Sequence, residues 1–229
     1  MQNQVENLDA ALSVARWTRQ ITGGGPGKML LLGYSSGAAT GYSYVNWETQ
    51  KELKDRNVRG FIPVDMAFKT DDPGLLAAAA GFAGAKQVAY EGGQYLDPVY
   101  FAPLGYLAMT DPGGASPVVP GFTNETVALV YGAASFMLAP LTPTYHFLAG
   151  TFDPGTGMPD GFQFNTIQGW YEFMLTACAY EATLYEVDVF KTMAGTEDVP
   201  FDDYLGDVCI PVLSVGSAGG LGYYNEYTL

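Results

Sequence analysis

The stretch Lys28-Met29-Leu30-Leu31-Leu32-Gly33-Tyr34-Ser35-Ser36-Gly37-Ala38 decides how this chain is read. Its first part, 28–32, is a short apolar run of strand length, and a strand apolar on both faces is what the centre of a parallel sheet requires. Its second part is Gly33-x-Ser35-x-Gly37, followed by small residues, Ala38, Ala39 and Gly41, that open a helical stretch. In a strand–turn–helix setting this spacing carries a chemical meaning. A serine on such a tight turn is held in a strained backbone conformation that lifts its hydroxyl clear of the sheet. Glycine on either side avoids a Cβ that would clash with the strand or the helix. The N–H of Ser36 then points out of the helix N-terminus, where it can stabilise an oxyanion. The plainer alternative is a glycine-rich turn carrying two ordinary serines.

Working outward, Val5, Leu8, Leu12 and then Ala15 or Arg16 recur at helical spacing, which predicts a helix over 5–20. Gly23-Gly24-Gly25-Pro26-Gly27 ends it. After the serine turn the pattern is helical to about 56, and 58–65 is a second apolar strand. Helix, strand, helix, strand implies a parallel sheet with right-handed crossovers. From Met66 to Asp207 the chain is rich in Ala, Gly, Tyr, Phe and Pro. Helices are expected near 73–91, 97–109, 124–138, 165–182 and 184–193, with no strand between them. Pro and Gly clusters, Asp111-Pro112-Gly113-Gly114 and Asp153-Pro154-Gly155, separate them. The run 208–215 reads as a further buried strand.

The 229 residues fit one domain or one domain with a large insertion. Hydrophobic residues make up 48% and aromatic residues 14%, enough for a sizeable core and too much for disorder. Ten Lys and Arg against 24 Asp and Glu give a net charge of −14, which argues against nucleic acid or an anionic membrane surface as partner. No apolar run is long enough to be a transmembrane helix, and Met1 to Asp9 has no secretory pattern. The compartment stays open. Cys178 and Cys209 give no metal spacing and no disulfide framework.

The residues 28–38, with Val58-Arg59-Gly60-Phe61-Ile62-Pro63-Val64-Asp65 as the next strand and Ile210-Pro211-Val212-Leu213-Ser214-Val215-Gly216 as a later one, resemble the α/β-hydrolase superfamily. Within it the resemblance is to esterase- and lipase-like serine hydrolases with a helical cap. It implies an α/β fold, a partial parallel-sheet hydrolase core with a large α-helical cap insertion. The core would be 1–65 and 206–229, and the cap 66–205. It also implies hydrolysis of small or medium apolar carboxylic esters through an acyl-enzyme, with no cofactor. Ser35 would be the nucleophile and the Ser36 N–H an oxyanion donor. Tyr34 would face the substrate. Asp65, at the end of its strand, would be the triad acid, with Asp207 and Glu226 as weaker alternatives; its plain role is a turn aspartate at a strand end.

The pattern departs from the family at both ends. Only one helix precedes the serine turn, and no histidine follows the last strand, so the sequence reads as a fragment of a longer protein. His146, the only histidine, lies between apolar residues of the cap stretch, and one histidine does not support a zinc site. Gly23 to Lys28 does not spell a phosphate loop, nor Gly216 to Gly222 a dinucleotide fingerprint. Asn124-Glu125-Thr126 is a glycosylation sequon whose simpler use is a helix start capped by Thr123 or Asn124. Aromatic and methionine residues such as Tyr106, Met109, Trp170 and Phe173 fill the cap stretch, and some of them would line an apolar pocket over Ser35. A different class of function uses the same parts: a non-catalytic hydrolase-like protein holding an apolar ligand under its cap. A histidine within reach of Ser35 separates the two.

Overall fold

The computed structural model describes residues 1–96, 101–133, 150–176, 181–216 and 221. The architecture is mixed α/β with a small parallel sheet. The described chain divides into two compact units. One is Met1–Tyr95 with Thr183–Leu229, and the other is Leu96–Ala182. Among the described residues no helix is long and apolar enough to cross a membrane.

The first unit is built on the serine turn. Helix α1 (Gln2–Ile21) is followed by strand β1 (Met29–Tyr34), helix α2 (Ser36–Glu48) and strand β2 (Val58–Val64). β1 and β2 pair in parallel, with Leu30 opposite Gly60 and Tyr34 opposite Val64. The 211–215 segment adds a third parallel line on the far side of β2. Phe61 N–H donates to Pro211 C=O at 2.9 Å, and Leu213 N–H to Phe61 C=O at 2.9 Å. Val215 N–H donates to Pro63 C=O at 3.0 Å, and Asp65 N–H to Val215 C=O at 2.8 Å. Pro63 has no N–H to give, so the ladder is interrupted between bridges at Phe61–Val212 and Val64–Val215.

α2 covers one face of this sheet. The ring of Phe61 lies against Gly41, where a Cβ would sit 2.5 Å from the ring. Tyr42 meets Phe61 edge-on at 5.0 Å and stacks on Phe68 at 5.3 Å. The other face is open. Leu30 is 59% exposed, Leu32 62% and Leu213 62%. This corrects the expectation of strands buried on both sides. Apolar runs in β1 and 211–215 have the composition of central strands, but α2 reaches only the face that carries Phe61.

At the start of the strands a polar network locks α1, α2 and β2 together. The buried Glu48 carboxylate accepts from the Asn57 and Val58 amides and from Tyr44 Oη, the last at 2.8 Å. Asp9 Oδ1 lies 2.9 Å from the same hydroxyl and accepts from Lys51 at 2.6 Å and from Asn57 at 2.9 Å. Burial foremost, with Glu48 and Asp9 adding negative charge, pushes the Tyr44 phenol well above its ordinary value of 10.0. The native state therefore keeps this proton where the unfolded chain loses it. The stability it gives is complete below about pH 10 and is lost as the pH rises beyond. Tyr44→Phe is expected to cost about 1–3 kcal/mol at pH 7, because Glu48 loses a donor, and to flatten the alkaline decline in stability. Denaturant unfolding of both proteins from pH 7 to pH 11 checks this; equal slopes would refute it.

Helices α3 (Pro73–Glu91) and α7 (Thr183–Ala194) also belong to the first unit. Asp72 caps α3 by accepting from the Leu75 amide at 2.7 Å, with Pro73 in the first turn. The two helices pack along each other, with Lys86 paired to Glu186 at 2.6 Å and Phe82 facing Phe190 at 5.3 Å. The expected cap boundaries after 65 and before 206 differ from this division, which falls at 95/96 and 182/183. The reason is the α3–α7 contact, made between segments about a hundred residues apart, which no local pattern encodes.

The second unit holds α4 (Phe101–Thr110), α5 (Asn124–Ala133), α6 (Ile167–Thr176) and a short antiparallel pair, β3 (Gly150–Phe152) with β4 (Pro159–Phe162). The pair was not foreseen. Asp153-Pro154-Gly155 read as a helix separator is its turn, with Asp153 accepting from the Gly155 and Thr156 amides at 3.0 and 2.7 Å. The core gathers Leu104, Val127, Ala128, Tyr171 and Met174 around Trp170, whose indole N–H donates to Ala128 C=O at 2.8 Å. Burial foremost, and then the charge of Glu125, pushes the Tyr171 phenol up to about 12. Thr123 caps α5, its hydroxyl accepting from the Thr126 amide at 3.1 Å. Asn124 is buried and its amide donates to Asp111 C=O at 2.9 Å, so the sequon offers no accessible acceptor in the folded unit.

Candidate active site

Ser35 sits between β1 and α2 with φ 49° and ψ −120°. A non-glycine residue at positive φ stores about 1–3 kcal/mol of strain, which the surrounding bonds must hold. Three contacts hold it. Ser35 N–H donates to Val64 C=O at 2.9 Å, tying the turn to the end of β2. Ser35 C=O accepts from Ala38 at 2.8 Å and from Ala39 at 3.1 Å, the first bonds of α2. The side chain is half-buried at the mouth of the sheet, and Ser36 beside it is half-buried too. Ser36 and Gly37 are the first residues of α2, so their N–H groups lie at its positive end.

The two glycines of the motif are not equivalent. A Cβ on Gly33 would lie 2.4 Å from Gly37 O and 2.8 Å from Ala38 Cα, both fixed backbone. A Cβ on Gly37 would meet nothing within 4 Å. The expected clash therefore holds for the first glycine and not for the second. Gly33→Ala is expected to destabilise by about 3 kcal/mol or more, at the upper end of overpacking costs. Gly37→Ala is expected to leave stability unchanged or raise it by about 0.5–1 kcal/mol, because alanine suits a helix better. Urea unfolding of the two variants measures the contrast.

Asp65 follows β2 directly, is 4% exposed, and has φ 50°. Short polar side chains tolerate this conformation better than most. It ends its strand next to Val64, whose carbonyl receives the Ser35 amide. Sheet pairing thus brings Ser35 and Asp65 to the same, C-terminal edge of the sheet, the edge at which open α/β sheets bind ligands. Tyr34 is exposed on the open face of β1. Asp207 is exposed in a 3₁₀ turn (Leu205–Asp207), while Glu226, His146 and Cys178 lie outside the described residues. Cys209 is an exposed thiol. Among the described residues no group of three or more His, Cys, Asp or Glu could hold a metal ion.

Sequence reasoning missed two residues of this neighbourhood. Tyr185 of α7 donates to Ser36 C=O at 2.6 Å and shares a hydrogen bond with Thr40 at 2.9 Å. No sequence signal marks a tyrosine 149 positions from its partner. A groove of about 360 Å³, lined by Arg16, Trp17, Lys54 and Asn57 among others, lies near the start of β2. That is the other end of the strand from Ser35, so its volume is no guide to where acyl chemistry would occur. Compared with known protein families, with curated proteins and with solved structures, the chain matches none.

Proposed function

We propose that this chain carries the nucleophile of a serine hydrolase acting on small or medium apolar carboxylic esters, within an α/β-hydrolase-like core. The observation that supports the reading most is the backbone of Ser35, strained at φ 49° and ψ −120° between a parallel strand and a helix N-terminus. Backbone strain of this kind gathers at functional sites, where the surrounding structure holds it in place.

In this reading Ser35 Oγ attacks the ester carbonyl carbon while a histidine takes its proton. The carbonyl oxygen becomes an oxyanion, which the Ser36 N–H stabilises. The imidazolium gives its proton to the departing alkoxide, leaving an acyl-serine that water hydrolyses. Asp65 holds the imidazole in the required tautomer and stabilises its charged form. Tyr34 flanks the nucleophile on the substrate side. The reaction needs no cofactor.

The test is to incubate the folded chain with a fluorophosphonate probe and to follow release of p-nitrophenol from p-nitrophenyl acetate and butyrate. Label on one serine together with ester turnover supports the reading. A chain that takes no label and turns over no ester, even with imidazole added as the base, favours the non-catalytic protein binding an apolar ligand.

A further inference from the structure

We infer that Tyr185 is a positioning residue that, acting through the Ser36 carbonyl, aims the Gly37 N–H as a second oxyanion donor beside that of Ser36. This rests on the serine-hydrolase reading. The two peptide groups after the nucleophile are each held from their carbonyl side. The Ser35–Ser36 peptide is held where Ser35 C=O accepts from Ala38 and Ala39 at 2.8 and 3.1 Å. The Ser36–Gly37 peptide is held where Ser36 C=O accepts from Tyr185 Oη at 2.6 Å.

A trans peptide is planar, so fixing its carbonyl fixes the direction of its N–H on the opposite side. The first set of bonds aims the Ser36 N–H, and the second aims the Gly37 N–H. Both N–H groups belong to the first turn of α2, which has no partners of its own to orient them. Tyr185 is 6% exposed and comes from α7, on the same compact unit as the turn. Its own oxygen lies 2.9 Å from Thr40 Oγ1. With the Tyr185 proton committed to Ser36 C=O, the Thr40 hydroxyl is the donor in that pair. The result is a chain, Thr40 to Tyr185 to the Ser36 carbonyl, in which each bond polarises the next and strengthens the N–H at the far side of the peptide. Donors fixed before the reaction are what oxyanion stabilisation requires, because they need no reorganisation as charge develops.

Tyr185→Phe removes one oxygen and keeps the ring. The expected result is a fall in kcat for p-nitrophenyl butyrate of about 10- to 100-fold, below the loss seen when an oxyanion donor is itself deleted, with KM changed less than threefold. The inhibition constant of a trifluoromethyl ketone, which forms an oxyanion on the serine, rises by the same factor as kcat/KM falls. A role confined to folding would lower the melting temperature and the labelled fraction, and would leave kcat per labelled site and this proportionality untouched. Thr40→Val is the second variant; it keeps Tyr185 and removes only its donor, and a smaller effect in the same direction is expected.

The amide of Gly37 gives a readout that does not need turnover, since its nitrogen shares a peptide with the Ser36 carbonyl. Its ¹⁵N resonance is expected to move upfield in Tyr185→Phe. A labelled, active wild type with an unchanged kcat in Tyr185→Phe, or an unmoved Gly37 resonance, overturns the positioning role alone. A wild type that takes no label and hydrolyses no ester, with imidazole supplied as the base, overturns the hydrolase reading, and this role with it.

Discussion

Replacing Ser35 by alanine is expected to abolish labelling by a fluorophosphonate and to lower ester turnover on the order of a million-fold, to the level left by removal of a nucleophile. The hydroxyl is the only atom lost. The strain at Ser35 is held by its backbone bonds to Val64, Ala38 and Ala39, which alanine retains. The fold should therefore survive, and a circular dichroism melt within a few degrees of the wild type separates lost chemistry from lost structure. Ser36→Ala is the internal control. Its role runs through the backbone N–H, so label should persist. Label that remains on Ser35→Ala would move the nucleophile elsewhere and remove the basis of the proposed reaction.

The second large effect is expected at Asp65. Asp65→Asn keeps the volume and a side chain that tolerates positive φ, and removes the charge that in the proposed triad would orient and stabilise an imidazolium. Loss of that charge in a triad lowers kcat by about 10⁴-fold. Labelling of Ser35 should become slower by a similar factor, because the same base activates the serine toward the probe. The position of Asp65 makes the experiment informative: it is buried, ends β2, and follows the residue whose carbonyl receives the Ser35 amide. A turn aspartate with no part in catalysis would leave kcat within a few-fold of the wild type while lowering stability. In that case the acid lies elsewhere, and Asp207→Asn is the next variant.

Much of the first unit was legible because its determinants are local. The spacing of Val5, Leu8 and Leu12 predicted α1, and the apolar runs predicted β1 and β2 at nearly their observed bounds. Asp72-Pro73 marks the start of α3 through a side-chain acceptor and a fixed φ, both properties of adjacent residues. The exposed side of β1 was not legible. Leu30 and Leu32 read as buried, because a sequence states what a residue prefers and not whether another element arrives to cover it. The short β3–β4 pair was missed for a related reason: three- and four-residue strands carry too little alternation to stand out from loop composition.

The serine turn is written in the local sequence. Gly33, Ser35 and the small residues after it specify a strand that passes directly into a helix, and this follows from backbone sterics within five residues. Which distant groups meet that turn depends on how the elements pack. Parallel pairing of β1 with β2 sets Asp65 at the same sheet edge as Ser35, and the packing of α7 brings Tyr185 to the Ser36 carbonyl. The difference is one of range. Dihedral strain and capping act between neighbours in the chain, whereas burial and hydrogen bonding across elements depend on which surfaces the fold brings together.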